Sequence, residues 1–521
     1  MLKRFLSLLI GVAMLISLLP AAMAEDEALP FIEFTVLSLD YPEGFDDFPL
    51  VKQAKEKFNF DFTVQQVAWD TWDETVRTYA ATGSLPEVIA WYNLNYGEYK
   101  QWAEQGVFKA LPDMSKYPLL KENLDKLDVD DYLYVDGQLY CNPKINNNQP
   151  VNQFKNYMTL YRRDWAKAVG LHYAPVQEVT YEEFVEYLHL VKEKDPGNVG
   201  DGLIACDPES SGEGWVAMAA WWNHNIDRYY EKDGKVYWGA RDPESLEGVL
   251  QIKALYDAGL LYRDGYADTE GEARFRANRV AAHSGNVAIK ELVTVINELK
   301  LVDAAITDED LGVFAIRMPD GKFHCDQMGE YWAAFAFSGE CRDEVMDRWL
   351  QVGNWLLEQE QVETYAYGTY GEDWEKDAEG NVNVFWTDED ITKGKPKAYI
   401  SDQRVFQKFF MLEGADLWLE GNPALRPILQ DDIYLDYYKF LGEAENREEV
   451  VYTPTNYELE FLSTPSKDQY GSLTNDVKNA VIQAVVSDEP EKVWNNFLEE
   501  SAFKVDMVIA EMEEALAANA E

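Results

Sequence analysis

The sequence predicts an α/β protein built as two lobes. Strand-like and helix-like segments alternate from the N-terminal side onward, a second set of the same signals begins near Met158, and 521 residues are more than one hydrophobic core accommodates. Phe31 to Leu37 has the pattern of a strand, Pro49 to Phe58 that of a helix, and Phe60 to Val67 alternates Phe60, Phe62 and Val64 as a half-buried strand does. Asp70 is placed to cap a helix through Tyr79 that Gly83 stops, and Glu87 to Trp91 forms the next strand. Alternation at this spacing implies a parallel sheet with right-handed crossovers. From Met158 the chain reads as a strand, a short helix capped by Asp164 and stopped by Gly170, and a longer helix opened by a capping box from Thr180 to Glu183. Tyr181, Phe184, Val185, Leu188 and Val191 share one face of that longer helix, and Pro196-Gly197 ends it. Further on, Asp233 to Tyr237 is a hairpin turn, and Asp242-Pro243-Glu244 starts a helix with Leu246, Val249, Leu250 and Tyr256 inward that Gly259 ends. Glu330 to Ser338 is a strand, Asp343 to Leu357 a helix, and the last helix carries Val505, Val508, Ile509, Met512 and Leu516 on one face.

Residues 1 to 24 have the three parts of a secretory signal: Lys3 and Arg4, an apolar run from Phe5 to Leu19, and the small-residue site Ala22-Met23-Ala24. Export with cleavage near Glu25 is therefore expected, and no later run is long and apolar enough to cross a bilayer. The formal charge of −48 argues against nucleic acid and anionic lipid as partners, since both would repel the chain. Cys141, Cys206, Cys325 and Cys341 permit three full disulfide pairings and establish none; buried thiols or a single bridge are the expectation. No CxxC or HxxxH spacing supports a metal site around His324, Cys325 and Cys341.

The run MTLYRRDWAKAVGLHYAPVQEVTYEEFVEYLHLVKEKDPG, Met158 to Gly197, resembles a characteristic segment of the extracellular solute-binding proteins of ABC importers, family 1, the maltose-binding-protein-like group. Other stretches are similar to that family in the same order. They are Ala81 to Trp91 (ATGSLPEVIAW), Gly106 to Asp113 (GVFKALPD), Asp136 to Pro143 (DGQLYCNP), the run NRVAAHSGN ending at Asn286, Thr369 to Trp374 (TYGEDW), and Ser463-Thr-Pro465. The resemblance implies a two-lobed periplasmic-binding-protein-like fold of type 2, two α/β lobes joined by a three-crossing hinge. It implies crossings near Pro143, near Asn286 and near Ser338 to Arg342, which divides the chain into 25–143 with 286–338 for the first lobe and 144–285 with 339–521 for the second. Relatives usually carry a lipobox cysteine at the cleavage point, and here the first cysteine is Cys141. The loop Asp195 to Asp201 resembles a calcium loop of some relatives but lacks its second Asp, so a plain turn and no metal are expected.

The solute would lie between the lobes, and the aromatic content of 14% exceeds what cores need, so rings for the apolar face of a sugar are available. Trp91, Tyr92 and Asn93 follow a strand at the carboxyl end of the sheet, where open α/β folds bind ligands. Asn147, in the run Asn146 to Gln149, follows the first crossing and offers an amide that donates and accepts. Trp215, Trp221 and Trp222 with Asn223 form the densest aromatic and amide cluster; on one helix Trp215 and Trp222 would share a face. Asn286 and Trp332 stand at expected crossings, and Trp374 completes the candidates.

The sequence has no GxSxG, HExxH, P-loop or dinucleotide fingerprint, and no pair stands out among the carboxylates. The expectation is a binding protein without catalytic residues or cofactor, monomeric, that captures a small solute, preferably an oligosaccharide, and meets ABC permease subunits but no nucleic acid. A secreted carbohydrate-active hydrolase, a sensory binding protein and a peptide ligand are the alternatives.

Overall fold

The computed structural model describes residues 29–519 apart from 40, 94–95, 128–129, 146–153, 155–156, 209–212, 268–269, 286, 288, 328, 379, 381, 386–405, 407–408, 411, 413–431, 445–446 and 472. The expected export segment, Asn147 and Asn286 lie outside the described residues, as does the side chain of Trp332. The chain builds its first lobe from β1 (Ile32–Ser38), α1 (Pro49–Phe58), β2 (Phe60–Gln66), α2 (Trp72–Thr82), β3 (Val88–Asn93), α3 (Tyr96–Glu104) and β4 (Cys141–Ile145). The second lobe then receives β5 (Thr159–Arg162), β6 (Val176–Thr180), α4 (Tyr181–Lys194), β7 (Ile204–Cys206), α5 (Glu213–Ala219), the hairpin β8 (Tyr229–Lys232) and β9 (Lys235–Trp238), α6 (Pro243–Asp257), β10 (Val280–Ser284), β11 (Leu311–Arg317) and β12 (Phe323–Asp326). Returning to the first lobe, the chain forms β13 (Tyr331–Phe337), α7 (Asp343–Leu356) and the short pair β14 (Trp374–Lys376) and β15 (Val382–Val384). It finishes on the second with β16 (Val450–Thr453), α8 (Tyr457–Phe461), α9 (Pro465–Tyr470), α10 (Thr474–Val486) and α11 (Pro490–Asn519).

Each lobe is organised on a five-stranded sheet, in the order β2-β1-β3-β13-β4 in the first and β6-β11-β5-β10-β7 in the second. In both, one strand runs against the other four: β13 is antiparallel to β3 and β4, and β5 is antiparallel to β10 and β11. Each reversed strand is the first that the chain lays into a sheet on arriving from the other lobe. A strand that starts at the crossing must run away from it, whereas strands fed by helical crossovers run toward it.

Two separate cores result. Phe34, Phe60 and Phe62 of the first sheet stack with centroids 5.8–5.9 Å apart, and Trp349 of α7 meets Phe34 and Phe62 edge-on at 6.1 and 6.4 Å. In the second lobe Tyr161 stacks on Phe314 at 3.7 Å, with Tyr187 edge-on to both. Gly312 makes that stack possible, because a Cβ there would sit 2.4 Å from the Tyr161 ring.

Local signals hold in detail. Thr180 and Glu183 form the capping box, Gly170 ends its helix in the left-handed region, and Asp233-Gly234 turns the β8–β9 hairpin with φ of 55° and 72°. At Asp242 the carboxylate does not cap α6; it accepts from Asn223 and Tyr230, while Pro243 supplies the first turn. Buried residues on α6 are Ser245, Gly248, Val249, Ile252 and Leu255, so its inward face is rotated from the expected one. The short helix expected to be capped by Asp164 starts instead after Arg162, whose guanidinium the Asp164 carboxylate binds. All four cysteines are buried free thiols.

The lobe boundaries differ from those implied by resemblance. β10 lies inside the second sheet and β11 follows it there, so the second passage comes between Asp326 and Tyr331 rather than near Asn286. Likewise α7 stays on the first lobe, because Val345, Trp349, Val352 and Leu356 complete that core, to which Phe406, Phe409, Phe410 and Leu412 also belong. Passages between lobes are set by which core an amphipathic helix finds, a tertiary choice that local pattern does not encode.

Candidate functional site

A cavity of about 1200 Å³ opens between the lobes. The first lobe lines it with Trp69 and Asn93 from the carboxyl ends of β2 and β3, with Asp73 from the first turn of α2, and with Glu98, Lys100 and Glu104 of α3. Facing them from the second lobe are Asp227, Arg228 and Tyr229 before and in β8, and Glu460, Lys467 and Asp468 of the α8–α9 segment. A smaller cavity of about 320 Å³ adjoins it, shares Arg228, Tyr229 and Glu460, and reaches Asp326, Gln327 and Gly329 at the second passage.

On the first-lobe wall, Trp69 sits in a single 3-10 turn just past β2 with 60% of its surface exposed. Its ring stands edge-on to Trp91 at 6.0 Å. The Trp91 indole donates to Asn93 Oδ1 at 2.9 Å, and Asn93 Nδ2 donates to Asp73 Oδ1 at 3.1 Å, so a polar ladder runs beside an open aromatic face. Glu98 accepts from Arg77 Nε at 2.7 Å, and this hydrogen bond raises the Arg77 pKa.

On the second-lobe wall, Arg228 forks onto Asp326 at 2.7 and 3.1 Å, and His224 approaches the same carboxylate at 3.4 Å. Burial pushes Asp326 up, but the hydrogen bond from His224 and the charge of Arg228 outweigh it and the carboxyl ends below its usual range. Asp227 goes the other way: burial raises it, and Arg228 offsets only part of that. Lys467 turns its ammonium to the carbonyls of Leu459, Glu460 and Leu462 at 2.7, 2.7 and 2.9 Å, closing the end of α8, and burial lowers its pKa.

The passage itself is braced. β12 and β16 pair in parallel, Gln327 N–H donates to the Thr453 carbonyl at 2.8 Å, and Thr455 Oγ1 donates to the Gln327 carbonyl at 3.0 Å. From there α8 reaches back to the first lobe, where Tyr457 packs on Tyr331 at 5.7 Å and Phe461 on Tyr132 at 5.2 Å.

Of the residues proposed from sequence, Asn93 lines the cavity and Trp91 stands behind it, 8% exposed. Several others serve the cores. Tyr92 packs on Trp102 and Phe108; Trp215 is enclosed by Tyr256 and Tyr266; Trp221 lies against Tyr157 and Phe184. Trp374 is buried with its indole donating to the Gly368 carbonyl at 2.9 Å. Trp222 lies beyond the end of α5, shares no helix face with Trp215, and meets Tyr181 edge-on at 4.8 Å. Asn223 ties its loop to the start of α6 through Asp242 and Ser245. These rings are spent on packing because two cores and their helical layers need large apolar volumes. Missed from sequence were Trp69, Asp73, Glu98, Arg228, Glu460 and Asp468. For Trp69 the signal was available, since it too follows a strand at the carboxyl end of the sheet.

In the loop after α4, both carboxylate oxygens of Asp195 accept backbone amides, of Val199 at 2.9 Å and Gly200 at 2.8 Å, which makes it a self-closed turn.

Residues 43–289 match the model of the family described as bacterial extracellular solute-binding protein. Over that stretch, a little under half of its length, the chain is similar to that family. Lipoprotein LipO of Bacillus subtilis (strain 168) is 24% identical over 225 residues, 42% of this chain, and the match spans 42% of LipO's length. Among solved structures, Streptococcus pneumoniae FusA, an ABC-transporter substrate binding protein in complex with kestose, superposes with a TM-score of 0.66 at 16% identity, covering 94% of this chain and 100% of that one. The alginate-binding protein AlgQ2 gives 0.64 at 12% identity over 93% of this chain and 97% of its own. An HMO-binding solute-binding protein from Bifidobacterium longum infantis gives 0.60 at 14% identity, covering 93% and 98%. At such identities the likeness establishes the two-lobed α/β fold of these solute-binding proteins.

Proposed function

We propose that this protein is the solute-capturing component of an ABC importer and that its solute is an oligosaccharide held between the lobes. The carrying observation is the cavity of about 1200 Å³ with walls from both lobes, in which the open face of Trp69 lies beside the Asn93–Asp73 ladder. An aromatic face takes the apolar side of a pyranose or furanose, and amide and carboxylate groups at its edge take hydroxyls. The volume suits several sugar units rather than one amino acid or ion. A solute touching both walls favours the closed arrangement by its higher affinity for it, and the braced passage at β12 and β16 is where the lobes would pivot. The relatives whose names mention kestose, alginate and HMO support the saccharide reading, and the family supports delivery outside the cell to a permease.

A thermal-shift screen against fructo-, malto-, xylo- and N-glycan oligosaccharides and mixed peptides tests this. A saccharide at a hundredfold over its dissociation constant stabilises the protein by about 2.7 kcal/mol. Stabilisation by peptides alone would overturn the saccharide reading, and release of reducing ends would favour a hydrolase.

A further inference from the structure

We infer that the cleft selects uncharged oligosaccharides and rejects those carrying carboxylate or sulfate groups. This rests on the saccharide reading above and narrows it. The described lining places Asp73, Glu98, Glu104, Asp227, Glu460 and Asp468 around the cavity against Lys100, Arg228 and Lys467. The balance of signs matters less than what the cations are doing. Capture of an anionic sugar needs a guanidinium fork or an ammonium free to point at it. Arg228 gives one N–H from each terminal nitrogen to the Asp326 carboxylate, at 2.7 and 3.1 Å, and its Nε lies 3.8 Å from Asp227, so its charge is already matched. All three donors of Lys467 are committed to the carbonyls that end α8. What remains is Lys100, on the exposed side of α3, where a solvated charge contributes little.

The carboxylates are differently placed. Asp73 accepts one amide donor and Asp468 one hydroxyl, from Ser463 at 2.7 Å, while a carboxylate offers about four lone-pair sites. Glu104 and Glu460 are exposed to the cavity. Among the described residues the wall is thus rich in acceptors and poor in cations whose charge is not already matched. A sugar hydroxyl donates to such a wall; a uronate carboxylate or a sulfate only accepts, and brings like charge besides.

The test uses matched pairs. Neutral fructo-, malto- and N-glycan oligosaccharides are titrated calorimetrically beside forms of the same chains whose primary hydroxyls have been oxidised to carboxylates, together with oligogalacturonate and alginate oligomers, at low and high salt. The expected result is binding of a neutral chain with affinity nearly independent of salt, and its oxidised form weaker by about a hundredfold at low salt, a gap that narrows as salt rises. In the double variant Glu460→Gln, Asp468→Asn the neutral chain should weaken with the loss of these acceptors and the gap to its oxidised form should shrink by about tenfold, folding being checked by an unchanged melting profile. Equal or tighter binding of any acidic oligosaccharide overturns the inference and leaves the saccharide reading standing. Binding of no saccharide of either kind sinks both.

Discussion

The two lobes share an architecture and divide the work of the cleft unequally. The first presents an exposed ring and a polar ladder, Trp69 and Asn93 at strand ends with Asp73 in the first turn of α2. Opposite, the second lobe presents charges already tied to its own backbone and to Asp326, while its tryptophans Trp215 and Trp221 are sealed in the core. The difference teaches that aromatic abundance is a poor guide to which rings face the cleft. Position relative to a strand end, and whether a ring is needed to fill a core, decide what a tryptophan does.

The sharpest way to break this contrast is to exchange one tryptophan from each side. Trp215→Ala should destabilise the second lobe by about 3–5 kcal/mol, because a ring 1% exposed is removed from between Tyr256 and Tyr266. Trp69→Ala should leave the denaturant midpoint within about 0.5 kcal/mol of wild type and weaken oligosaccharide binding by about tenfold. Calorimetric titration and urea unfolding on the same two proteins decide the matter; a Trp215 variant that keeps its stability, or a Trp69 variant that keeps its affinity, would reverse the roles.

A step smaller in effect is Gly312→Ala, expected to cost about 1–3 kcal/mol as the new Cβ forces the Tyr161–Phe314 stack apart. Urea unfolding followed by near-UV dichroism reads it, and a neutral result would show that the second core yields more readily than its packing implies.

The smallest expected effects are electrostatic and occur once in each lobe. Arg342 holds Glu87 at the start of the first-lobe β3, and Arg447 and Arg317 hold Glu178 on the second-lobe β6. Burial raises Glu87, but its bonds to Arg342 bring it below its usual range; for Glu178 the bond from Arg447 lowers the carboxyl more than burial raises it. Both folded values lie below the unfolded one, so each pair stabilises fully above the ordinary carboxylate range and the contribution fades as pH falls through the folded value. Glu178→Gln and Glu87→Gln should each lower stability at pH 7 by less than about 1 kcal/mol and flatten the acid side of a stability-versus-pH curve. Curves that stay parallel to wild type down to acid would show the pairs are inert.

Most of the secondary structure was legible because its signals are local. α1 is bounded by Pro49 and Phe58 as its pattern implies, and the Thr180–Glu183 box and the Asp233-Gly234 turn act within a few residues. Lobe membership of β10, β11 and α7 was not legible, since it depends on which distant surface each apolar face meets. The site suffered for the same reason. Arg228 meets Glu460 and Asp468 from a stretch more than 200 residues away, and nothing in their neighbours in sequence marks them. Trp69 was passed over, although the strand-end rule that drew attention to Trp91 applies to it equally.

Small-angle X-ray scattering on the free protein and on the protein saturated with the tightest-binding neutral oligosaccharide tests the central claim most directly. A solute gripped by Trp69 and Asn93 on one side and by Asp227 and Glu460 on the other should draw the lobes together and reduce the radius of gyration, and Trp69→Ala should need more ligand to reach the same reduction. Saturable binding that leaves the radius unchanged and is indifferent to Trp69 would place the solute elsewhere and contradict the account.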